Sequence, residues 1–215
     1  MQSSLRYQNP PLVSDATTGK LIIISAPSGG GKSTIVRHLL AQLPSLRFSV
    51  SATTRAPRPG ETDGEHYYFY SVSAFKALVA EGAFVEYEEV YPDQYYGTLR
   101  REIERIWAEG HHVIFDVEVK GAVNLSRLYP RRTLAVFVRP PSVAELIRRL
   151  EGRGTESADS LRKRIARFEE ELSYESHFDT LLINDDLQET LQTAEHLVRS
   201  FLAQKISPTL PSDQA

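Results

Sequence analysis

The stretch Leu21-Ile22-Ile23-Ile24-Ser25-Ala26-Pro27-Ser28-Gly29-Gly30-Gly31-Lys32-Ser33-Thr34 joins an apolar run to a glycine-rich turn, and the turn to a segment with helical spacing. A run that is apolar at successive positions reads as a strand buried on both faces, the habit of a parallel sheet. After the turn, Ile35, Val36, Leu39, Leu40 and Leu43 recur at helical intervals over 32–43. Between strand and helix, glycines let backbone N–H groups turn inward around phosphate oxygens, and the helix N-terminus adds its partial positive charge. Lys32 then reaches the β/γ-phosphates of a nucleotide, and the Ser33 hydroxyl is a ligand for Mg²⁺. Ala26, Pro27, Ser28, Gly29, Gly30, Gly31, Lys32, Ser33 and Thr34 are therefore read as a nucleotide site, although Ala26 stands where such a loop usually carries its first glycine. An ordinary glycine turn capping a helix would not need Gly31-Lys32-Ser33 directly after a buried strand. The loop identifies a nucleotide binder and not yet a reaction.

Further strand candidates lie at 113–117, 134–138 and, with a weaker pattern, 180–183. Helical candidates lie at 73–81, 98–109, 142–151, 157–176 and 187–203. Ser142-Val143-Ala144-Glu145 has capping-box spacing after Pro140-Pro141, a good helix start. The alternation predicts an α/β fold, a parallel sheet flanked by helices. Residues 48–98 break the rhythm with tyrosines, short β-like runs and turn signals, and read as an inserted mixed-β subdomain. Gly152-Arg153-Gly154 is a hinge-like break before a charged helix. The expected division is a flexible leader 1–18, one domain over 19–204 and a flexible tail 205–215. Within the domain the core takes 19–47, 99–151 and 178–204, the inserted subdomain 48–98 and a helical lid 152–177.

Composition narrows the class. A chain of 215 residues suits one ordinary domain, and 41% apolar with 25% charged residues is the balance of a soluble globular protein. The formal net charge of −3 gives no basic footprint, which argues against a nucleic-acid partner. No apolar run approaches the roughly 18–20 residues that span a bilayer, and the N-terminus lacks the apolar core of a secretory signal, so no membrane partner is expected. The absence of cysteine excludes disulfides, zinc–thiolate sites and a thiol nucleophile. The expected address is the cytoplasm, and a homo-oligomer stays open.

A second chemistry-bearing stretch follows closely, Ser49-Val50-Ser51-Ala52-Thr53-Thr54-Arg55-Ala56-Pro57-Arg58-Pro59-Gly60-Glu61 and on to Tyr67-Tyr68-Phe69. Arg55 and Arg58 offer planar forks that match phosphate oxygens, while Pro57, Pro59 and Gly60 shape the backbone between them. Two phosphate sites in one chain point to a kinase whose acceptor is itself a phosphate.

These motifs, with Tyr95-Tyr96-Gly97-Thr98 and Arg149-Leu150-Glu151-Gly152-Arg153-Gly154-Thr155-Glu156, resemble those of guanylate kinases in the same order over residues 20–202. The resemblance implies a P-loop kinase fold that transfers the γ-phosphoryl group of ATP to GMP, with dGMP as a further acceptor, using Mg²⁺. It implies that 48–98 binds GMP. Arg55, Arg58, Tyr67 and Tyr96 would surround the GMP phosphate, a set of two guanidinium forks and two phenols able to hold a dianion without a metal. Ser51, Glu86 and Thr98 would meet the guanine ring, with Glu61 in the supporting network. A carboxylate at Glu86 can accept from guanine N1–H and the exocyclic amine, whereas adenine presents a lone pair there. Glu86, Glu88 and Glu89 can also be read as the wet face of a strand, and Tyr91-Pro92-Asp93-Gln94 holds one residue more than the commoner pattern.

Asp116-Val117-Glu118-Val119-Lys120-Gly121 closes a buried strand and resembles the family's D-x-D/E-x-Q-G. Carboxylates at the end of a parallel strand face the ligand crevice, and alternation aims Asp116 and Glu118 the same way. The resemblance puts Asp116 on Mg²⁺ through water and Glu118 on the GMP side, while Lys120 replaces the usual glutamine and receives no role. It also closes Arg149, Arg153 and Arg164 over the polyphosphate, and sets Asn184 near the adenine or the lid. A basic helical face balanced by Glu169, Glu170 and Glu171 can instead be simply solvated.

No general base is needed, because the accepting phosphate oxygen is already largely ionised with a second pKa of about 6. Alignment, charge neutralisation and exclusion of water would carry the reaction, so lid and acceptor subdomain are expected to close together. A catalytically dead phosphopeptide-binding module would not keep Lys32 and Ser33. A sugar-phosphate kinase would not need Ser51, Tyr67, Glu86 and Tyr96 together, and no N/T-K-x-D guanine motif of a GTPase occurs.

Overall fold

Hydrophobic residues at successive positions leave Leu21–Ser25 no solvent face, and this segment forms the central strand, β1, of a five-stranded sheet. The protein was analysed as a computed structural model that describes residues 19–27, 30–151, 165–166 and 168–206. Strand β1 lies between β7 (His112–Asp116) and β8 (Thr133–Arg139), with β2 (Leu46–Phe48) outside β7 and β9 (Thr180–Ile183) outside β8. All four pairings are parallel.

Alternation along β1 divides the core in two. Ile22 and Ile24 meet Ile35 and Leu39 of α1 (Lys32–Gln42) and Leu191 and Val198 of α6 (Leu187–Ala203). Leu21 and Ile23 meet Ile103 and Trp107 of α3 (Arg100–Ala108) and Leu125 of α4 (Val119–Leu128). Helices thus cover both faces, as a parallel sheet requires.

A second, mixed sheet has the order β4 (Tyr68–Phe69), β3 (Ala52–Thr53), β6 (Gln94–Leu99), β5 (Phe84–Tyr91). Here β3 runs parallel to β4, and the other pairs are antiparallel. Helix α2 (Val72–Ala80), capped by the Ser71 hydroxyl, supplies Phe75, which stacks on Phe84 at 4.4 Å and Tyr95 at 5.4 Å.

Several boundaries differ from the sequence reading. The helix expected over 98–109 begins only at Arg100, because Thr98 and Leu99 finish β6. The strand expected over 113–117 covers His112–Asp116, so Glu118 is the residue that precedes α4 and not a strand position. Strand β2 was unforeseen, since three residues with one buried side chain carry no periodic signal. Ser142 does cap α5 (Val143–Glu151), its hydroxyl accepting the Glu145 N–H at 3.1 Å. Of the helix expected over 157–176, residues 168–172 are helical, Glu175–His177 forms a 3₁₀ turn, and 157–164 and 167 lie outside the described residues. So do the expected leader and residues 207–215. No helix among the described residues is long and apolar enough to cross a membrane.

Lys20, just ahead of β1, buries its ammonium against the end of α6, donating to the carbonyls of Phe201, Leu202 and Gln204. These are carbonyls that a helix end leaves without partners. Lys20→Met should lower stability by about 2 kcal/mol, the scale of charge-assisted hydrogen bonds lost from a helix end. Urea denaturation at neutral pH measures it, and an unmoved midpoint would show that the cap contributes nothing.

Candidate active site

A cleft of about 570 Å³ opens between the phosphate loop and the second sheet. Its floor is set by the pairing of Ile24 with Asp116, which brings the ends of β1 and β7 together. Lys32 Nζ lies 2.8 Å from one Asp116 oxygen, and Ser33 Oγ donates to the other at 2.8 Å. Burial opposes the Lys32 charge, but the carboxylates of Glu118 and Asp116 outweigh it and hold the pKa above its usual value. Lys32 therefore stays an ammonium at neutral pH. Ala26, Pro27, Gly30, Gly31, Lys32, Ser33, Thr34, Asp116 and Glu118 all line the cleft, whereas Ser28 and Gly29 lie outside the described residues.

Gly31 adopts φ +95°, and a Cβ there would sit 2.3 Å from Asn184 Nδ2. That amide is buried and donates to the Gly30 carbonyl at 2.9 Å, across 154 residues. Asn184, expected at the adenine or lid, thus has one amide N–H on the loop backbone. The Asn184 backbone carbonyl accepts from Arg149 Nη2 at 2.8 Å, while Arg149 Nε pairs with Glu145 at 2.7 Å. Arg149 does not line the cleft here, and Arg153 and Arg164 lie outside the described residues.

Ser51, Arg55, Arg58, Glu61, Tyr67, Glu86 and Tyr96 form the facing wall. Glu61 organises it, receiving Arg55 Nη2 and Nη1 at 2.8 and 2.9 Å and the Arg58 backbone N–H at 2.7 Å. Those bonds, the Arg55 fork foremost, pull the Glu61 carboxyl down to about 2. The Arg55 guanidinium also lies 5.3 Å from the Tyr67 ring, and Tyr67 meets Tyr96 edge-on at 6.0 Å. Burial raises the Tyr67 pKa, so its phenol remains a donor.

Glu86 sits in mid-strand on β5, opposite Thr98. The extra residue at 91–94 is absorbed locally, since Pro92-Asp93 makes a two-residue turn with Asp93 at φ 57° and a register shift falls between Glu89 and Tyr91. Asp93 is held there by its N–H to Glu89 and its carbonyl to the Thr54 hydroxyl. Thr98 is fully buried and does not line the cleft; its hydroxyl donates to Glu86 Oε1 at 2.7 Å. Burial pushes the Glu86 carboxyl up to about 7, against the downward pull of Thr98. Sequence reasoning assigned no site role to Arg37, Phe48, His66, Glu88, Val90, Gly97, Val117 and Gly121, which also line the cleft. Of these, strand alternation from Glu86 could have found Glu88 and Val90.

Residues 18–201 match the family described as guanylate kinase. The chain belongs to the guanylate kinase family. It is 48% identical over 183 residues to the guanylate kinases of Bacteroides fragilis and Salinibacter ruber, covering 85% of this chain and 90% and 97% of those proteins. The crystal structure of guanylate kinase from Anaplasma phagocytophilum superposes with a TM-score of 0.69 at 26% identity, over 87% of this chain and 88% of that one. Membership carries an enzyme activity, a nucleoside monophosphate kinase role in which ATP phosphorylates GMP.

Among the described residues no group of three His, Cys, Asp or Glu side chains could enclose a metal. The Ser33 hydroxyl and the Asp116 carboxylate nonetheless suit Mg²⁺, which keeps several waters and takes further oxygens from substrate phosphates. The family's use of ATP fits such a donor set.

Asn184→Ala should leave the Gly30 carbonyl without its buried donor and loosen the loop. The KM for ATP should rise about tenfold, one buried hydrogen bond's worth, with the KM for GMP unmoved. Steady-state kinetics against each substrate tests this, and an equal rise for both would reduce Asn184 to general support of the fold.

Proposed function

We propose that ATP lies along Ala26–Thr34 and that GMP or dGMP lies against the facing wall, with the γ-phosphoryl group passing between them. The observation that carries this reading is that the Lys32 loop and the Arg55, Tyr67, Glu86 wall line one cleft. Division of the domain into core, acceptor subdomain and lid, at the boundaries expected from sequence, belongs to the same proposal.

Lys32 neutralises the transferring phosphates, and the backbone N–H groups at the start of α1 hold their oxygens. Arg55 and Arg58 grip the GMP phosphate, Arg55 already oriented by Glu61, while the Tyr67 and Tyr96 phenols donate to the same anion. Ser51 and Glu86 read the base; Thr98 acts through Glu86, and Glu118 borders the acceptor. Ser33 and Asp116 would hold Mg²⁺, Asp116 through water. When bound, the ion neutralises charge on the polyphosphate. Arg149 must leave Glu145 to reach the phosphates, and Arg153 and Arg164 complete the proposed arginine set. No side chain need take a proton, because the accepting oxygen is ionised. An assay offering ATP with Mg²⁺ and GMP, dGMP, AMP or UMP tests the acceptor directly. Turnover of GMP and dGMP alone is expected, and comparable turnover of AMP would sink the reading.

A pH profile tests Glu86. As a carboxylate it accepts from guanine; protonated, it presents a donor to a donor. With its pKa near 7, the KM for GMP should climb about tenfold per unit as pH falls below 7, beyond what the GMP phosphate itself contributes. In Glu86→Gln this limb should vanish. Parallel profiles for the two proteins would remove Glu86 from the base site.

A further inference from the structure

Glu86 is held from two sides. On its own sheet, Oε1 takes the Thr98 hydroxyl at 2.7 Å. On the other side, Oε2 faces Gly121, the third residue of α4, which is buried and borders the same cleft. A Cβ built at Gly121 would lie 2.9 Å from Oε2, 3.4 Å from Cδ and 3.8 Å from Oε1 of Glu86, its three nearest atoms outside its chain neighbours and its own helix backbone. Gly121 is not in the left-handed region, so the backbone makes no demand for glycine here. What a side chain at 121 would meet is one functional carboxylate.

We infer that Gly121 is a positioning residue for Glu86 and sets the guanine preference of the acceptor site through it. The inference rests on the proposed reading of Glu86 as the acceptor of guanine's donors. A methyl group at 121 is too close to Oε2, and the end of a long side chain is the part that gives way. The carboxylate must then rotate or withdraw, while Thr98 still holds Oε1. A shift of a few tenths of an ångström is trivial for packing. It matters for a charged acceptor that must meet two donors on a rigid ring, because hydrogen bonds weaken steeply with poor angle. Helix propensity meanwhile favours alanine over glycine at this position in α4. Fold and specificity are therefore expected to respond in opposite senses.

The test is Gly121→Ala alone, Glu86→Gln alone and the two together. Gly121→Ala should keep or raise the thermal midpoint. Its KM for GMP should rise about ten- to a hundredfold, the scale of one misplaced charge-assisted hydrogen bond. The KM for ATP should stay put, and kcat at saturating GMP should fall far less than KM rises, since contacts remote from the transferred group bind ground and transition states alike. Preference for GMP over AMP should fall in parallel. In the double variant the loss should be no greater than in Glu86→Gln, because the amide that the methyl group then displaces is no longer the charged acceptor of guanine's donors. Losses that add, an unchanged KM for GMP in Gly121→Ala, or a sharply lowered thermal midpoint would each overturn the inference. An unaltered base preference in Glu86→Gln would sink the reading of Glu86 itself, a result separable from any failure confined to Gly121.

Discussion

Parallel pairing at the centre of the first sheet is the constraint from which the site follows. Ile24 stands beside Asp116 on one side and Val136 on the other, so β1, β7 and β8 deliver their C-terminal ends to one edge. The crevice beyond such an edge is where open α/β sheets bind ligands. Lys32 and Asp116 meet there although 84 positions separate them in sequence. The pairing of Arg139 with Ile183 extends the same logic, because Asn184 then follows β9 at the level of the loop and donates its backbone N–H to Arg139. A slip of one residue between β1 and β7 would turn Asp116 to the opposite face and separate it from both Lys32 and Ser33.

On this frame the charges are arranged in two contrasting ways. Lys32 is matched by Asp116, and Arg55 by Glu61, before any phosphate arrives. Each cation is thereby oriented in advance, which on the proposed reading removes reorganisation from the moment of reaction. Glu86 is treated differently. The influences on it are burial, Thr98 and the like charge of Glu88, and none of these is a cation. On the proposed reading, a group so placed awaits a partner that brings donors of its own.

The layout of the fold was legible because its decisive signals are local. The β1 run, the glycine loop and the spacing of Ile35, Val36 and Leu39 lie within one short stretch, and Leu187–Ala203 and Thr180–Ile183 have the bounds their patterns suggest. The weaker readings share a physical cause. Thr98 looked like a helix start from sequence, but its backbone is claimed by pairing with Glu86 across β5 and β6. Asn184 carries no periodic signal that could announce a partner at Gly30, since only the β8–β9 register brings them together. Gly121 stood in a quoted motif, yet its proximity to Glu86 depends on how α4 rests on β5. Residues proposed to act on ligands were thus chosen by their chemistry, while residues that hold other residues emerged only with the packing.

Burial of Glu86 ties stability to specificity. Its folded-state pKa is raised from 4.5 to about 7, and at 1.36 kcal/mol per unit the protonated fold is favoured by about 3 kcal/mol. The sign follows from proton uptake. The folded protein binds the extra proton between these values, so this contribution is complete below 4.5 and is lost as pH rises through 7. At and above neutrality the fold therefore carries an ionised carboxylate in a poorly solvated place. That burden is a large fraction of the 5–15 kcal/mol that typically holds a domain together. On the proposed reading, guanine relieves it by offering two N–H groups to an acceptor that has few others. Adenine offers a lone pair where the first donor is needed and leaves the charge uncompensated. The desolvation that weakens the free fold is then also what makes rejection of the wrong base steep, because an unpaired buried charge costs more than a lost contact. A solvated carboxylate at the same position would stabilise the protein and blunt its choice.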